Sequence, residues 1–344
     1  MRAGLRGAAP GGRAVGGRRR AGAASALAAL IAVGCAGDLG GPRELKFGHV
    51  GEPGSLFALS AEEFARRANA RLPEGWQVVV YGSSQLGGDE QLLQKIKLGT
   101  VDFALPSTVM SSQIGAFGLF EMPYLVRDRE HMRAIEEAVV WPDLAPLAEA
   151  AGYRMLAVWE NGFRHVTNDV RPIEAPSDLA GIKLRTPRGV WRVKLFQALG
   201  ANPTPMPLSE VFIGLQTHVI DGQENPLAQI WASKLHEVQG FLSLTAHVYT
   251  PAYVVVSPGR WDALPDDVRS VLGEEARAVQ AFVHETAARL DEELLASIEA
   301  AGVSVNRPDQ GAFLDASRAL YEEFGATVAG GDALVRRATA ATPR

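Results

Sequence analysis

The stretch from Asp266 to Ala301 limits most strongly what this chain can fold into. Its apolar residues Val268, Leu272, Val279, Phe282, Val283, Leu290, Leu294 and Ile298 keep the three- and four-residue rhythm of one helix face, and Gly302 stands just beyond. The pattern predicts a single long helix with Gly273 as a weak point near its start. At 1.5 Å rise per residue it would run about 50 Å, more than the width of one small domain. Such a helix is expected to bridge two domains; the alternative is two helices with a tight break. A chain of 344 residues, 47% hydrophobic and 21% charged, is long enough for two domains of ordinary composition.

Around this helix, β-like and helix-like segments alternate. "ELKFGHV" reads as a strand, Leu56 to Leu72 as a helix, "WQVVVYG" as a strand, and Glu90 to Leu98 as a helix closing at Gly99. The rhythm resumes with "RMLAVWE", "IKLRTP", a helix from Val190 to Leu199 ended by Gly200, and "HVIDG". This is α/β order.

The amino terminus reads as an address and not as part of the fold. Arg18, Arg19 and Arg20 close a basic region, and the 14 residues "AGAASALAALIAVG" follow without a charge, too few to span a bilayer and suited to an export signal. Cys35, the only cysteine, comes directly after "AVG". Small residues before a cysteine fit lipoprotein processing, and the alternative is a buried free thiol. The three arginines also leave twin-arginine export open. With one cysteine, no disulfide forms within the chain.

Charge excludes one class of partner. Of 34 basic residues six precede Cys35, leaving 28 against 39 acidic ones, a formal charge of −11. A nucleic-acid footprint needs the opposite sign. Signs of catalysis are also missing from the sequence. The histidines never fall in an H-E-x-x-H spacing, and there is no G-x-S-x-G elbow, Walker loop or G-x-G-x-x-G after a strand, so neither a metal nor a cofactor is expected. "SSQLGG" at Ser83 to Gly88 is too short to hold phosphate alone and reads as a strand-to-helix turn.

Three polar placements remain. Arg185 ends a strand in "GIKLRTP", where its planar fork can hold a carboxylate through two parallel hydrogen bonds or simply make a surface ion pair. Arg164 in "NGFRHVTN" is placed similarly. In "DGQENPLAQI", Asp221 to Ile230, Gln223 and Asn225 can orient polar groups of the same ligand. Arginine and amide at two strand ends make a reasonable anion site in an open α/β fold.

Several co-linear stretches then carry a resemblance: "LKFGHV", "YGSSQLGGDEQLLQKIKLGTVDF", "FEMPYLV", and the run from "GIKLRTPRG" through "FQALGANPTPMPLSEVFIGLQTHVIDGQENPLAQIWASKLHEVQGFLSLTAHVYTPAYVVVS", on to about Tyr321. They resemble the DctP-type solute receptors of tripartite ATP-independent periplasmic (TRAP) transporters. The resemblance implies a two-domain, periplasmic-binding-protein-like α/β clamp with a long helix crossing both domains. Its segments would be a lipoprotein-type signal peptide at 1–35, a linker at 36–43, one domain from 44–161 plus about 251–285, and another from 162–250 plus about 286–340. It further implies capture of a small organic acid outside the cytoplasm, a sugar acid such as a uronate first and a C4-dicarboxylate second, and delivery to TRAP membrane permease subunits. Lipid on Cys35 would tether the receptor to the membrane.

Position by position, the arginine that pairs with the ligand carboxylate in that family matches Arg185, and the asparagine of "QENP" matches Asn225. Arg164 matches a second basic position of sialic-acid-type members. Asp89 falls on a polar pocket position of the same members, and Ser107 replaces their glutamate, which counts against sialic acid. Asp221, Gln223 and Glu224 are expected to shape the strand-to-helix junction, with Glu224 near the positive end of the helix. His218 stands where glycine or asparagine is usual. The alternatives are a two-domain receptor for an ATP-driven importer or sensor kinase and, far behind, an exported enzyme, which would need a base or nucleophile within reach of a bond.

Overall fold

The computed structural model describes residues 42–343, so Cys35 and the basic and apolar amino-terminal segment lie outside the described residues. In chain order the strands are β1 (Arg43–Gly48), β2 (Trp76–Tyr81), β3 (Phe103–Ala104), β4 (Arg154–Phe163), β5 (His165–Asn168), β6 (Lys183–Thr186), β7 (Asn202–Pro205), β8 (Gly222–Asn225), β9 (Phe241–Ser243), β10 (Tyr249–Val256) and β11 (Ser304–Asn306). They form two sheets, ordered β2-β1-β3-β10-β4 and β11-β9-β5-β8-β6-β7.

The helices Leu56–Asn69 and Asp89–Leu98 make the crossovers between the parallel strands β1, β2 and β3. In the second sheet Val190–Ala198 does the same between β6 and β7. Such connections leave the loops after the parallel strands at one end of each sheet, where α/β folds place ligands.

The chain passes between the sheets three times, twice as strands lying side by side and once through the long helix between β10 and β11. β4 ends in the first sheet at Phe163, Arg164 follows, and β5 begins in the second sheet at His165. The return runs from β9 to β10. Antiparallel pairing holds β4 to β10 on one side and β5 to β9 on the other, and Arg164 N donates to Val248 O at 2.9 Å between them.

The predicted long helix is one continuous element, Asp266–Ala300, and not two. Asp266 and Asp267 sit in its first turn against the helix dipole, and Gly302 takes the left-handed φ of 95° just after its end. Gly273 does not break it: Gly273 lies against Trp261, 3.7 Å from where a Cβ would stand, so tertiary packing offsets a propensity cost of about 1 kcal/mol. Val268, Leu272, Val279, Val283 and Leu290 are buried in the larger apolar cluster with Phe47, Phe64 and Trp159, whereas Ile298 belongs to a second cluster with Val211, Leu215, Ile230 and Leu242. The helix is also pinned to β4 by polar contacts. Trp159 Nε1 donates to Ala276 O at 2.8 Å, Gln280 Nε2 to Val158 O at 2.8 Å, and Arg129 joins Glu160 of β4 to Asp291. One helix thus serves both clusters, as its length requires. Among the described residues no helix is long and apolar enough to cross a membrane.

One strand stands elsewhere than its sequence suggests. "HVIDG" is largely a turn, and the strand starts only at its last residue and runs Gly222–Asn225. Gly222 is required there because a Cβ would come within 2.5 Å of Thr167 O on the neighbouring strand. His218, in the turn, has φ 55°, which explains why a residue tolerant of left-handed backbone suits that position.

Candidate functional site

A cavity of about 430 Å³ opens between the sheets, in the usual size range for small-molecule sites. Val50, Phe57, Ser84, Asp89, Glu90, Ser107, Thr108 and Asn161 line it from the first sheet and its connections. Arg164 at the crossing, and Arg185, Arg188, Leu208, Glu210, Asn225 and Gln229 of the second sheet and its connections, line it from the other side. All five residues expected in a pocket, Arg185, Asn225, Arg164, Asp89 and Ser107, line this one cavity.

The two expected arginines differ in how they are neutralised. Arg185, buried on β6, donates Nε and Nη2 to the Met206 carbonyl at 2.9 and 2.6 Å. Among the described residues no carboxylate pairs with it, and its Nη1 has no hydrogen bond. Burial, with the like charge on Arg164, lowers it to about 9 against the attraction of Glu224. The site therefore holds a desolvated cation that makes no ion pair among the described residues and is attracted by the Glu224 and Asp89 carboxyls only from farther off.

Arg164, by contrast, is already satisfied. Its Nε donates to Glu224 Oε2 at 2.5 Å and its Nη2 to Glu224 Oε1 and Asn225 Oδ1, each at 2.9 Å. Glu224 is also met by Arg192 Nη1 at 2.5 Å and His247 Nε2 at 3.1 Å, and Arg192 Nε comes within 2.8 Å of Glu121 on the first-sheet side. Burial alone would push the Glu224 carboxyl up, but Arg164 and Arg192 hold it well below the usual carboxylate range. Glu224 is therefore not a helix-start residue, as its sequence position predicted. The helix begins at Leu227, and the Glu224 side chain is the anion of a buried ionic cluster.

The rest of the "DGQEN" stretch also divides its work. Asp221 Oδ2 accepts from Lys183 N at 2.9 Å and so fastens the start of β8 to β6. Gln223 donates to Thr167 Oγ1 at 2.8 Å and accepts from Asn225 Nδ2 at 2.5 Å, which fixes the amide of Asn225 at the cavity wall.

Facing them, Asp89 is the first residue of helix Asp89–Leu98, after a turn in which Ser83 and Ser84 take positive φ, as the turn reading of "SSQLGG" requires. Its Oδ1 is out of reach of solvent and has no hydrogen-bond partner. Burial pushes this carboxyl up to about 7, against the pull of Arg185. Ser107 gives its proton to Pro251 O at 2.7 Å and accepts from Asn161 Nδ2 at 3.1 Å, which leaves its oxygen one further acceptor position. At the mouth, Arg188 reaches across to Glu90 at 3.3 Å.

Sequence reasoning missed Arg188, Arg192, Glu121 and His247. A signal was present for two of them: Glu121 in "GLFEMPYLV" and Arg192 in "VWRVKLF" are lone charges in apolar surroundings, and such charges are tolerated when paired over long range.

A cleft between two α/β sheets, joined by a double strand crossing and lined by one arginine without an ion-pair partner, defines a clamp-type solute-binding protein. The chain belongs to the bacterial extracellular solute-binding proteins of family 7, DctP, whose family model matches residues 47–327, and so to the extracytoplasmic solute receptors of TRAP transporters. It is 32% identical to the 2,3-diketo-L-gulonate-binding periplasmic protein YiaO of Escherichia coli K12, over 80% of this chain and 84% of that one. The sugar acid binding protein DctPAm of Advenella mimigardefordensis, solved with galactonate, superposes with a TM-score of 0.84 at 30% identity, covering 88% of this chain and 99% of that chain. A TRAP periplasmic solute-binding protein of Sulfurospirillum deleyianum with bound succinate gives 0.83 at 30% identity, covering 88% and 100%. These relatives are receptors.

Proposed function

We propose that this protein captures a small organic acid outside the cytoplasm by pairing its carboxylate with Arg185, and hands it to TRAP permease subunits in the membrane. The observation that carries this reading is the buried Arg185 guanidinium, which faces the cavity with no carboxylate partner among the described residues. A ligand carboxylate supplies the missing charge and accepts from the open edge of the fork. Asn225, held in place by Gln223, forms the adjoining wall, and Arg164 contributes position more than charge.

Polar groups from both sides favour a hydroxylated acid over a plain one, so a sugar acid comes first and a C4-dicarboxylate second. The galactonate and succinate carried by the solved relatives bracket that choice. The role is capture and release without turnover. The two sheets act as the cores of two domains, 44–161 with about 251–285 and 162–250 with about 286–340, closing about the crossing at Arg164. Cys35 is the proposed site of lipid attachment, which tethers the receptor to the outer face of a membrane.

A thermal-shift screen of organic acids tests the reading. A ligand at 100 times its dissociation constant adds about 2.7 kcal/mol to the folded state, a plain rise in melting temperature. If no aldonate, uronate or dicarboxylate raises it, or if a bound acid is recovered chemically changed, the reading fails.

A further inference from the structure

The amide of Asn225 is oriented by a chain of side chains that leaves the cavity and ends outside it. Asn225 Oδ1 accepts from Arg164 Nη2 at 2.9 Å, and its Nδ2 donates to Gln223 Oε1 at 2.5 Å. Gln223 Nε2 donates to Thr167 Oγ1 at 2.8 Å, and that hydroxyl donates to Gln239 Oε1 at 3.0 Å. Gln239, just after the turn Leu235–Val238, ends the chain by donating its Nε2 to the backbone oxygens of Val238 at 2.9 Å and Asp221 at 3.3 Å. All five side chains are buried, and of the five only Arg164 and Asn225 line the cavity. We propose that Gln239 is a positioning residue for ligand capture: acting through Thr167 and Gln223, it fixes which edge of the Asn225 amide meets the ligand. This assignment rests on the capture reading above and adds to it the polarity of that wall.

The hydrogen bonds of this chain can run in one sense only. A guanidinium has donors and no acceptor, so Arg164 requires the oxygen of Asn225; backbone carbonyls accept and never donate, so Val238 and Asp221 require the NH2 group of Gln239. Between these ends each amide, and the hydroxyl, passes on the same polarity. Reversing any one amide sets oxygen against oxygen or N–H against N–H in a buried site, where an unpaired polar group is costly. Bonds aligned head to tail also polarise and strengthen one another. The consequence falls at the cavity. With one Nδ2 hydrogen given to Gln223 and Oδ1 taken by Arg164, Asn225 has its second N–H left for a ligand. It stands on β8, the strand paired with the Arg185 strand β6, so this wall offers a donor to an oxygen of the same carboxylate that Arg185 holds. With the Gln239 anchor lost, Arg164 alone sets the sense of the chain, and a turned Asn225 presents its oxygen to the ligand carboxylate.

The test is a double-mutant cycle read by titration calorimetry on the whole protein, with galactonate or the tightest-binding acid of the thermal-shift screen. Gln239→Met keeps the length of the side chain and removes its polar end, while Asp221 O keeps the Asp169 N–H at 3.0 Å. Thr167→Val cuts the chain in its middle. Each should weaken binding about 2- to 12-fold, the net contribution of one hydrogen bond, and the two together should lose no more than the larger single loss. In an Asn225→Ala background both substitutions should lose their effect on affinity, which a merely structural role would not do. The assignment is overturned if Gln239→Met binds as wild type does, or if it weakens binding by the same factor with and without the Asn225 side chain. Where Gln239→Met folds poorly, Thr167→Val in the two backgrounds gives the same answer. If an acid binds wild type and these outcomes fail, only the positioning role falls; if no acid of the screen binds, the capture reading falls and takes the positioning role with it.

Discussion

Replacing Arg185 and replacing Arg164 by alanine perturb the same cavity in opposite ways. In Arg185→Ala the ligand carboxylate is left desolvated without its partner, and truncating one side of a buried charge pair costs about 2–5 kcal/mol of binding. At 1.36 kcal/mol per decade this is roughly a 30- to 5000-fold loss of affinity. The ligand-free fold should barely notice. Removing a buried cation that makes no ion pair is favourable, and it offsets the orphaned Met206 carbonyl, itself worth about 1–3 kcal/mol. The two effects have similar size and opposite sign, so stability should stay within about 2 kcal/mol of wild type. Arg185→Lys keeps the charge but not the fork, and should recover only part of the affinity. Arg164→Ala strips Glu224, which is wholly buried, of its bidentate partner and should cost about 3–5 kcal/mol of folding stability. Calorimetric titration and urea unfolding of the three variants separate the terms. The reasoning is refuted if Arg185→Ala binds as wild type does, or if it destabilises the fold as much as Arg164→Ala.

Three further outcomes are expected. Burial lowers His49 to about 4, His165 to about 3 and His247 to about 4, so the unfolded chain binds more protons below about pH 6.5. The three histidines should make stability fall as pH drops from about 6.5 toward 4, by up to about 1.4 kcal/mol per unit each, while the buried carboxyls raised by desolvation, Asp89 above all, take up protons first in the folded chain and offset part of it; His49→Asn should remove one histidine share of the slope in urea midpoints. Glu224, held ionised in the folded chain, adds to the fall at the lower end of this window, where the unfolded chain begins to protonate it near about 4.5. His218→Gly relieves left-handed backbone at an exposed turn and should raise stability by about 0.5–1 kcal/mol in thermal unfolding; a loss there would show that the side chain is needed. Arg188→Ala breaks a cross-cleft pair whose side chains are 55% and 37% exposed, so ligand release in stopped flow should quicken by no more than about fivefold.

How much of the fold and the site is legible in the sequence depends on which forces set each element. The long helix is, because an apolar stripe kept in phase over 35 residues fits a single helix and little else. The β1 and β2 strands and their helices are, because alternation and capping are local. β8 is not: its side chains are buried by polar partners, Thr167, Arg164 and Asn225 among them, so no apolar pattern marks it and the alternation points to "HVIDG" instead. The ionic cluster is hidden for the same reason. Glu121, Arg164, Arg192, Glu224 and His247 lie far apart in the chain, and only the tertiary fold brings them together. The pocket roles of Arg185 and Asn225 come from family resemblance. What the structure adds is the difference between a neutralised arginine and a free one, which no spacing encodes.

The placement of β10 has a consequence for how this chain is made. β10 lies in the middle of the first sheet between β3 and β4, and its partner residues Ala104 and Val255 are separated by some 150 residues of chain. Until Val256 has emerged, β3 and β4 have only exposed edges where their shared neighbour belongs, and every residue of the second sheet up to β9 has already appeared. Long-range pairing of this kind forms late, because loop closure costs entropy before the contacts repay it. Most of the second sheet is thus available to the nascent chain before the first sheet can be completed, with only its edge strand β11 still to come. The same order makes any truncation short of β10 a source of sticky, unpaired strands.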